Sequence, residues 1–156
     1  MDDKKFMTEA IAVAREGMQA GQSPFGAVIV KDNQIVARAH NVVWQTTDPT
    51  AHAEVNAIRI ATKKLGTIDL TGCVIYSTTE PCPMCFSAIH WAKIDKVVFG
   101  ARIEDAQQAG FNELQLSNEQ MKDIGKSTVK IQAEFMREQC ARLFADWKIS
   151  ANAKVY

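Results

Sequence analysis

Two short stretches hold most of the chemical potential of this 156-residue chain: His52-Ala53-Glu54 and Pro81-Cys82-Pro83-Met84-Cys85. Cys82 and Cys85 are three residues apart, so on a helix they share a face, and two thiolates with one imidazole are three ligands of the kind zinc favours. Three protein ligands leave a fourth position for water. Zinc can lower the pKa of that water toward about 7, which yields a hydroxide nucleophile at neutral pH. Glutamate competes poorly with thiolate for zinc but accepts protons well, so Glu54 is expected beside the metal as a proton carrier.

These residues work together only if the fold brings two chain segments to one point. Asp48-Pro49 precedes the first stretch and Pro81 opens the second, and proline favours helix entry, so each motif is expected at a helix N-terminus that follows a loop. On a regular helix His52 and Glu54 would diverge by roughly 200°. First-turn side chains tilt toward the N-terminus, however, so both can reach a site beyond the helix end. Two helix starts aimed at one site favour the thiolate form and present backbone N–H groups, near Ala53 and Cys82, that can orient a ligand.

The rest of the pattern supplies a scaffold. Apolar positions at helical spacing run from Lys4 to Ala20, and Gly21 follows as a stop. Gly26 to Val30 and Ile35 to Ala39 read as a hairpin around Asp32-Asn33, and Asn41 leaves its second strand. A helix is expected from about Ala51 to Leu65, a buried strand over Cys73 to Ser77, a helix over Cys85 to Ala92 and a strand at Val97 to Phe99. Loops and short helices forming a pocket wall are expected over Ala101 to Gly125, then a strand over Thr128 to Ala133 and a helix marked by Phe135 through Trp147. This order implies an α/β fold, a three-layer α/β/α sandwich with a mixed central sheet, in one domain spanning residues 1–156.

Composition narrows the function classes. Eighteen basic and eighteen acidic residues cancel, so no global field steers the chain toward nucleic acid or an anionic membrane. No apolar run is long enough for a membrane span, and four unevenly placed cysteines do not make a disulfide scaffold, so a cytoplasmic protein with reduced thiols is expected.

Taken together, His52-Ala53-Glu54 and Pro81-Cys82-Pro83-Met84-Cys85 resemble the zinc-dependent cytidine deaminase superfamily. Within it, Asp48 to Glu54, Glu80 to Cys85, Ala109-Gly110-Phe111 and the terminal Tyr156 are similar to bacterial guanine deaminases, over nearly the whole chain. The resemblance implies zinc held by His52, Cys82 and Cys85, protons shuttled by Glu54, Asn41 hydrogen-bonded to a small purine base and Phe25 packed near it. It implies hydrolytic deamination of guanine to xanthine and ammonia. It also implies that Tyr156 closes the pocket, in that family from the partner in a homodimer with an exchanged C-terminal segment. Where many members have an aspartate after the Gly-Phe pair, this chain has Asn112-Glu113, with Glu113 at the matching position. That carboxylate can accept from the N1–H and amino group of guanine or relay a proton to departing ammonia.

Other readings stay open at this point. Cys82 and Cys85 suit a redox disulfide, and Cys73, His40 or His90 would close a structural zinc site as fourth ligand. Deamination of adenosine in tRNA, or of another small amino-base such as cytosine, would use the same zinc motifs. Trp91, two turns beyond the cysteines, either lines the pocket or anchors its helix, and Phe25 and Phe111 serve equally as core. Cys73 and Cys140 lie on apolar stretches and are expected to be small buried hydrophobes.

Overall fold

The sheet owes its three layers to side-chain alternation. In the computed structural model, which describes residues 1–156, β1 (Gly26–Lys31) sends Ala27 and Ile29 to one core and Val28 and Val30 to the other. β3 (Cys73–Thr79) and β4 (Lys96–Ala101) repeat the split, with Ile75, Val97 and Phe99 facing one way and Val74, Tyr76 and Val98 the other. Strands buried on both faces need a helical layer on each side. α1 (Asp3–Gln19) and α7 (Arg137–Lys148) cover one face, and α3 (Ala53–Leu65) and α4 (Pro83–Trp91) cover the other.

With β2 (Gln34–His40) and β5 (Lys130–Gln132) the sheet order is β2-β1-β3-β4-β5. The first two pairings are antiparallel and the last two parallel, which is the expected mixed sheet. Asp32 and Asn33 both take positive φ in a two-residue turn, as the hairpin reading requires. The parallel β3–α4–β4 crossover brings the start of α4 to the C-terminal ends of these strands, the usual place for a site in such sheets.

Element boundaries differ modestly from the sequence reading. α4 begins at Pro83 and not Cys85, because proline fits the first helical position and leaves Cys82 as the cap. The polar segment after Asn41 contains a one-turn helix, α2 (Val43–Thr46). The 101–125 region does hold short helices, α5 (Ile103–Gln108) and α6 (Asn118–Gly125). α7 starts only at Arg137, because Met136 sits in a left-handed conformation.

Candidate active site

His52 and Cys82 are the N-caps of α3 and α4, each with extended backbone, and Cys85 lies one turn into α4. Capping geometry therefore holds them where the two helix starts converge. His52 Nδ1 lies 3.6 Å from both Cys82 Sγ and Cys85 Sγ, and the three atoms all lie within 4.8 Å of one another. Metal bonds of the usual lengths, meeting at a tetrahedral angle, put nitrogen and sulfur about 3.6 Å apart, so the donor set fits zinc.

The electrostatics are those of a site made for a cation. Hydrogen bonding from Cys85, with His52 adding to it, holds the Cys82 thiol at about 4 despite burial. The same bond to Cys82, together with burial, pushes Cys85 well up. Burial pulls His52 down, but its bond to Cys82 and the nearby negative charges more than offset that, so its pKa is raised. The unmetallated pair thus keeps a proton that a divalent cation would displace. A disulfide is not formed, as all four cysteines are free.

None of the proposed fourth ligands joins this group. Cys73 lies at the opposite end of β3 from Thr79, His40 Nδ1 is 2.8 Å from the Asn41 carbonyl, and His90 Nδ1 is 2.9 Å from Ser127 Oγ. Cys73 and Cys140 are fully buried among apolar side chains. Ala53, also fully buried, opens α3, so its N–H is among the first-turn groups that lack a helical acceptor.

Glu54 stands outside the ligand cluster and only 7% exposed. Burial first, then the charge of Cys82, raises its pKa. Its Oε1 lies 3.0 Å from Ser77 Oγ, which is also 2.7 Å from the Thr79 carbonyl. The hydroxyl has one proton, so it can donate to ionised Glu54 or accept from protonated Glu54 while donating to Thr79. A proton carrier needs a partner suited to both of its states.

The cavity beside this cluster is lined by Phe25, Asn41, His52, Glu54, Thr79, Glu80, Cys82, Glu113 and Tyr156. Asn41 Nδ2 donates to the Tyr156 hydroxyl at 2.5 Å, and its Oδ1 accepts from Val43 N–H at 3.0 Å, which fixes the amide orientation. Tyr156 reaches the pocket from its own chain. The Asn112 N–H donates to the Tyr156 carbonyl at 3.0 Å, Trp44 Nε1 donates to the Lys154 carbonyl at 3.3 Å, and the Tyr156 ring lies 5.3 Å from that of Phe111. Burial, followed by the charges of Cys82 and Glu54, raises Glu113 to about 7.

Phe25 meets Phe111 edge-on at 4.9 Å, so it lines the pocket while anchored in the core, and Phe111 stacks on Trp147 at 5.1 Å. Trp91 is not brought to this pocket: it lies 82% exposed at the far end of α4, because helical twist carries it away from the face of Cys82 and Cys85. Sequence reasoning missed Ser77, Thr79 and Glu80. The available signal was a run of polar residues at the end of a strand buried on both faces.

A family model for the cytidine and deoxycytidylate deaminase zinc-binding region matches residues 1–101. The chain is 42% identical to a guanine deaminase of Bacillus subtilis over the full length of both proteins. A solved structure of guanine deaminase from Bacillus subtilis is 40% identical, with a TM-score of 0.70, and the match covers 99% of this chain and 98% of that one. A tRNA-specific adenosine deaminase of Aquifex aeolicus is 44% identical, over only 65% of this chain and 67% of that one.

Proposed function

We propose a function from one premise: the chain belongs to the cytidine and deoxycytidylate deaminase zinc-binding family, and within it this protein deaminates guanine to xanthine and ammonia. One observation carries the choice of base. Glu113 and Tyr156, which complete the pocket around the metal cluster, lie outside residues 1–101, in a part of the chain that the 42% identity to a guanine deaminase spans in full. The zero net charge also favours a neutral base over a polyanion.

His52, Cys82 and Cys85 hold zinc. When bound, the ion supplies Lewis acidity that ionises a water near neutral pH. Glu54 takes the two protons of the attacking water in turn, passing the first to N3 as the C2–O bond forms and the second to the amine as the C2–N bond breaks. Ser77 supports Glu54 in either protonation state. Asn41 and the Tyr156 hydroxyl offer hydrogen bonds at the base edge, Phe25 supplies an apolar wall, and the Ala53 N–H orients the substrate. Glu113 accepts from guanine N1–H and the amino group when ionised, and only in its protonated form can it pass a proton to the departing amine. Trp91 takes no part.

No helix is long and apolar enough to cross a membrane. We further propose a cytoplasmic protein, since a site of two thiols needs a reducing compartment. The assembly is a homodimer in which the segment 151–156, exposed up to Tyr156, is exchanged, the same contacts being available from either subunit. Mixing a Glu54→Gln chain with one lacking Tyr156 tests the exchange: a fraction of sites with wild-type KM for guanine returns if the tail crosses between subunits, and every active site keeps the raised KM of the truncated chain if it does not.

The reaction itself is tested by ammonia release from guanine, adenine, cytosine, isocytosine and tRNA, with metal content measured in parallel. Preference for guanine, with activity insensitive to salt, is expected. Turnover of tRNA that falls steeply with salt would overturn the assignment, as would bound zinc with no turnover of any base.

A further inference from the structure

Glu80 follows the end of β3, buried, with its side chain only 1% exposed, and immediately precedes Pro81-Cys82. Burying a carboxylate so fully is costly unless its oxygens are occupied. They are occupied by two helix starts at once. Oε2 accepts from the N–H of Ile103, the first residue of α5, at 3.2 Å, and Oε1 accepts from the N–H of Asn118, the first residue of α6, at 2.9 Å. Arg102 Nη1 stands 3.6 Å from Oε1, and Asn118 Nδ2 donates to the Pro81 carbonyl at 2.7 Å.

The segment between Ile103 and Asn118 carries Glu113 and Phe111; Asp105 is bonded by Arg137 and Phe111 is packed in the core, whereas beside Glu113 the Asn112 N–H donates to the Tyr156 carbonyl of the chain terminus. The middle of the segment is exposed at Asn112, Leu114 and Gln115. One carboxylate, two residues before the metal ligand Cys82, thus ties both ends of the substrate-facing segment to the end of β3. We propose that Glu80 is a positioning residue that sets the reach of Glu113 into the pocket, coupling the base-recognition wall to the metal-bearing helix.

This inference rests on the guanine deaminase reading given above. Glu80→Gln keeps the size of the side chain but replaces one acceptor oxygen with an amide NH₂, which cannot accept from an N–H. Zinc content per chain should be unchanged. Hydrogen exchange of amides in 103–118 should quicken, and kcat/KM for guanine should fall by about tenfold to a hundredfold, mainly through KM, as expected for lost bonds to a charged acceptor.

The decisive measurement repeats the substitution in a Glu113→Ala background, because a residue acting through Glu113 has nothing left to position there. A further loss of less than about twofold is expected, within the usual error of additivity. Glu80→Asp, whose shorter carboxylate can satisfy only one of the two N–H groups, should fall between wild type and Glu80→Gln, and carries the same cycle should Glu80→Gln not fold. An equal loss in both backgrounds, or unchanged exchange in 103–118, overturns the proposal. Failure of the unmodified enzyme to release ammonia from guanine would instead overturn the functional reading.

Discussion

The two sides of the pocket are made from different material. His52, Glu54, Cys82 and Cys85 sit on the first turns of α3 and α4, and the helices behind them bury Ala53, Ala57, Phe86 and Ile89 against the sheet. Phe111, Glu113 and Tyr156 come from a loop and the chain terminus, where neighbouring residues are exposed and single hydrogen bonds to Asn41, Trp44 and Asn112 hold the tail. Reacting groups thus rest on the rigid part of the fold. Groups that choose the base rest on segments that can vary without disturbing the sheet, as loops on a fixed scaffold commonly do.

The sharpest way to break this comparison is to remove chemistry while sparing the scaffold. Glu54→Gln is nearly isosteric and lies outside the ligand cluster, so zinc content should stay at the wild-type level while turnover falls by about 10² to 10⁴, the range for a lost general acid–base group. Metal analysis beside steady-state kinetics checks it. Loss of zinc would mean that Glu54 belongs to the metal shell, and near-normal turnover would mean that it carries no proton.

The other side should respond differently. Deleting Tyr156 removes the hydroxyl that Asn41 contacts and the ring against Phe111, yet touches no metal ligand. KM for guanine should rise by about tenfold to a hundredfold, the scale of a hydrogen bond plus an aromatic contact, with zinc content unchanged and kcat reduced less. A fall in kcat as large as that of Glu54→Gln would erase the distinction between the two walls.

Legibility in the sequence follows the same division. His52, Glu54, Cys82 and Cys85 were readable because metal ligation restricts residue type and spacing together, and Pro49 and Pro81 announce the helix starts. The sheet was readable because period-2 burial is local, though the ends of α4 and α7 depended on backbone details at Pro83 and Met136. Glu80 and Ser77 were not readable, because their partners lie at Asn118, Ile103 and Glu54, far away in sequence. Trp91 misled because proximity along a helix is not proximity to its leading end.

Glu113 gives the smallest and most specific test, because its ionisation links base recognition to pH. Burial first, then the charges of Cys82 and Glu54, raises it from an ordinary 4.5 to about 7. Zinc neutralises the thiolate charge, so the loaded enzyme should titrate between these values. Guanine recognition by the ionised carboxylate makes kcat/KM rise with pH across that window in the wild type, and Glu113→Gln should flatten the rise while lowering the plateau. The stability effect has the opposite sign. A carboxyl whose folded-state pKa is raised binds its proton more tightly when folded, so its contribution is present below about 4.5 and is lost as pH rises through about 7. Glu113→Gln should therefore raise Tm relative to wild type at pH 8 and leave the difference near zero at pH 4.5. A Tm difference that does not change between these two pH values would show that the residue does not titrate in the pocket, and the pH dependence of recognition would then have to come from the metal-bearing wall.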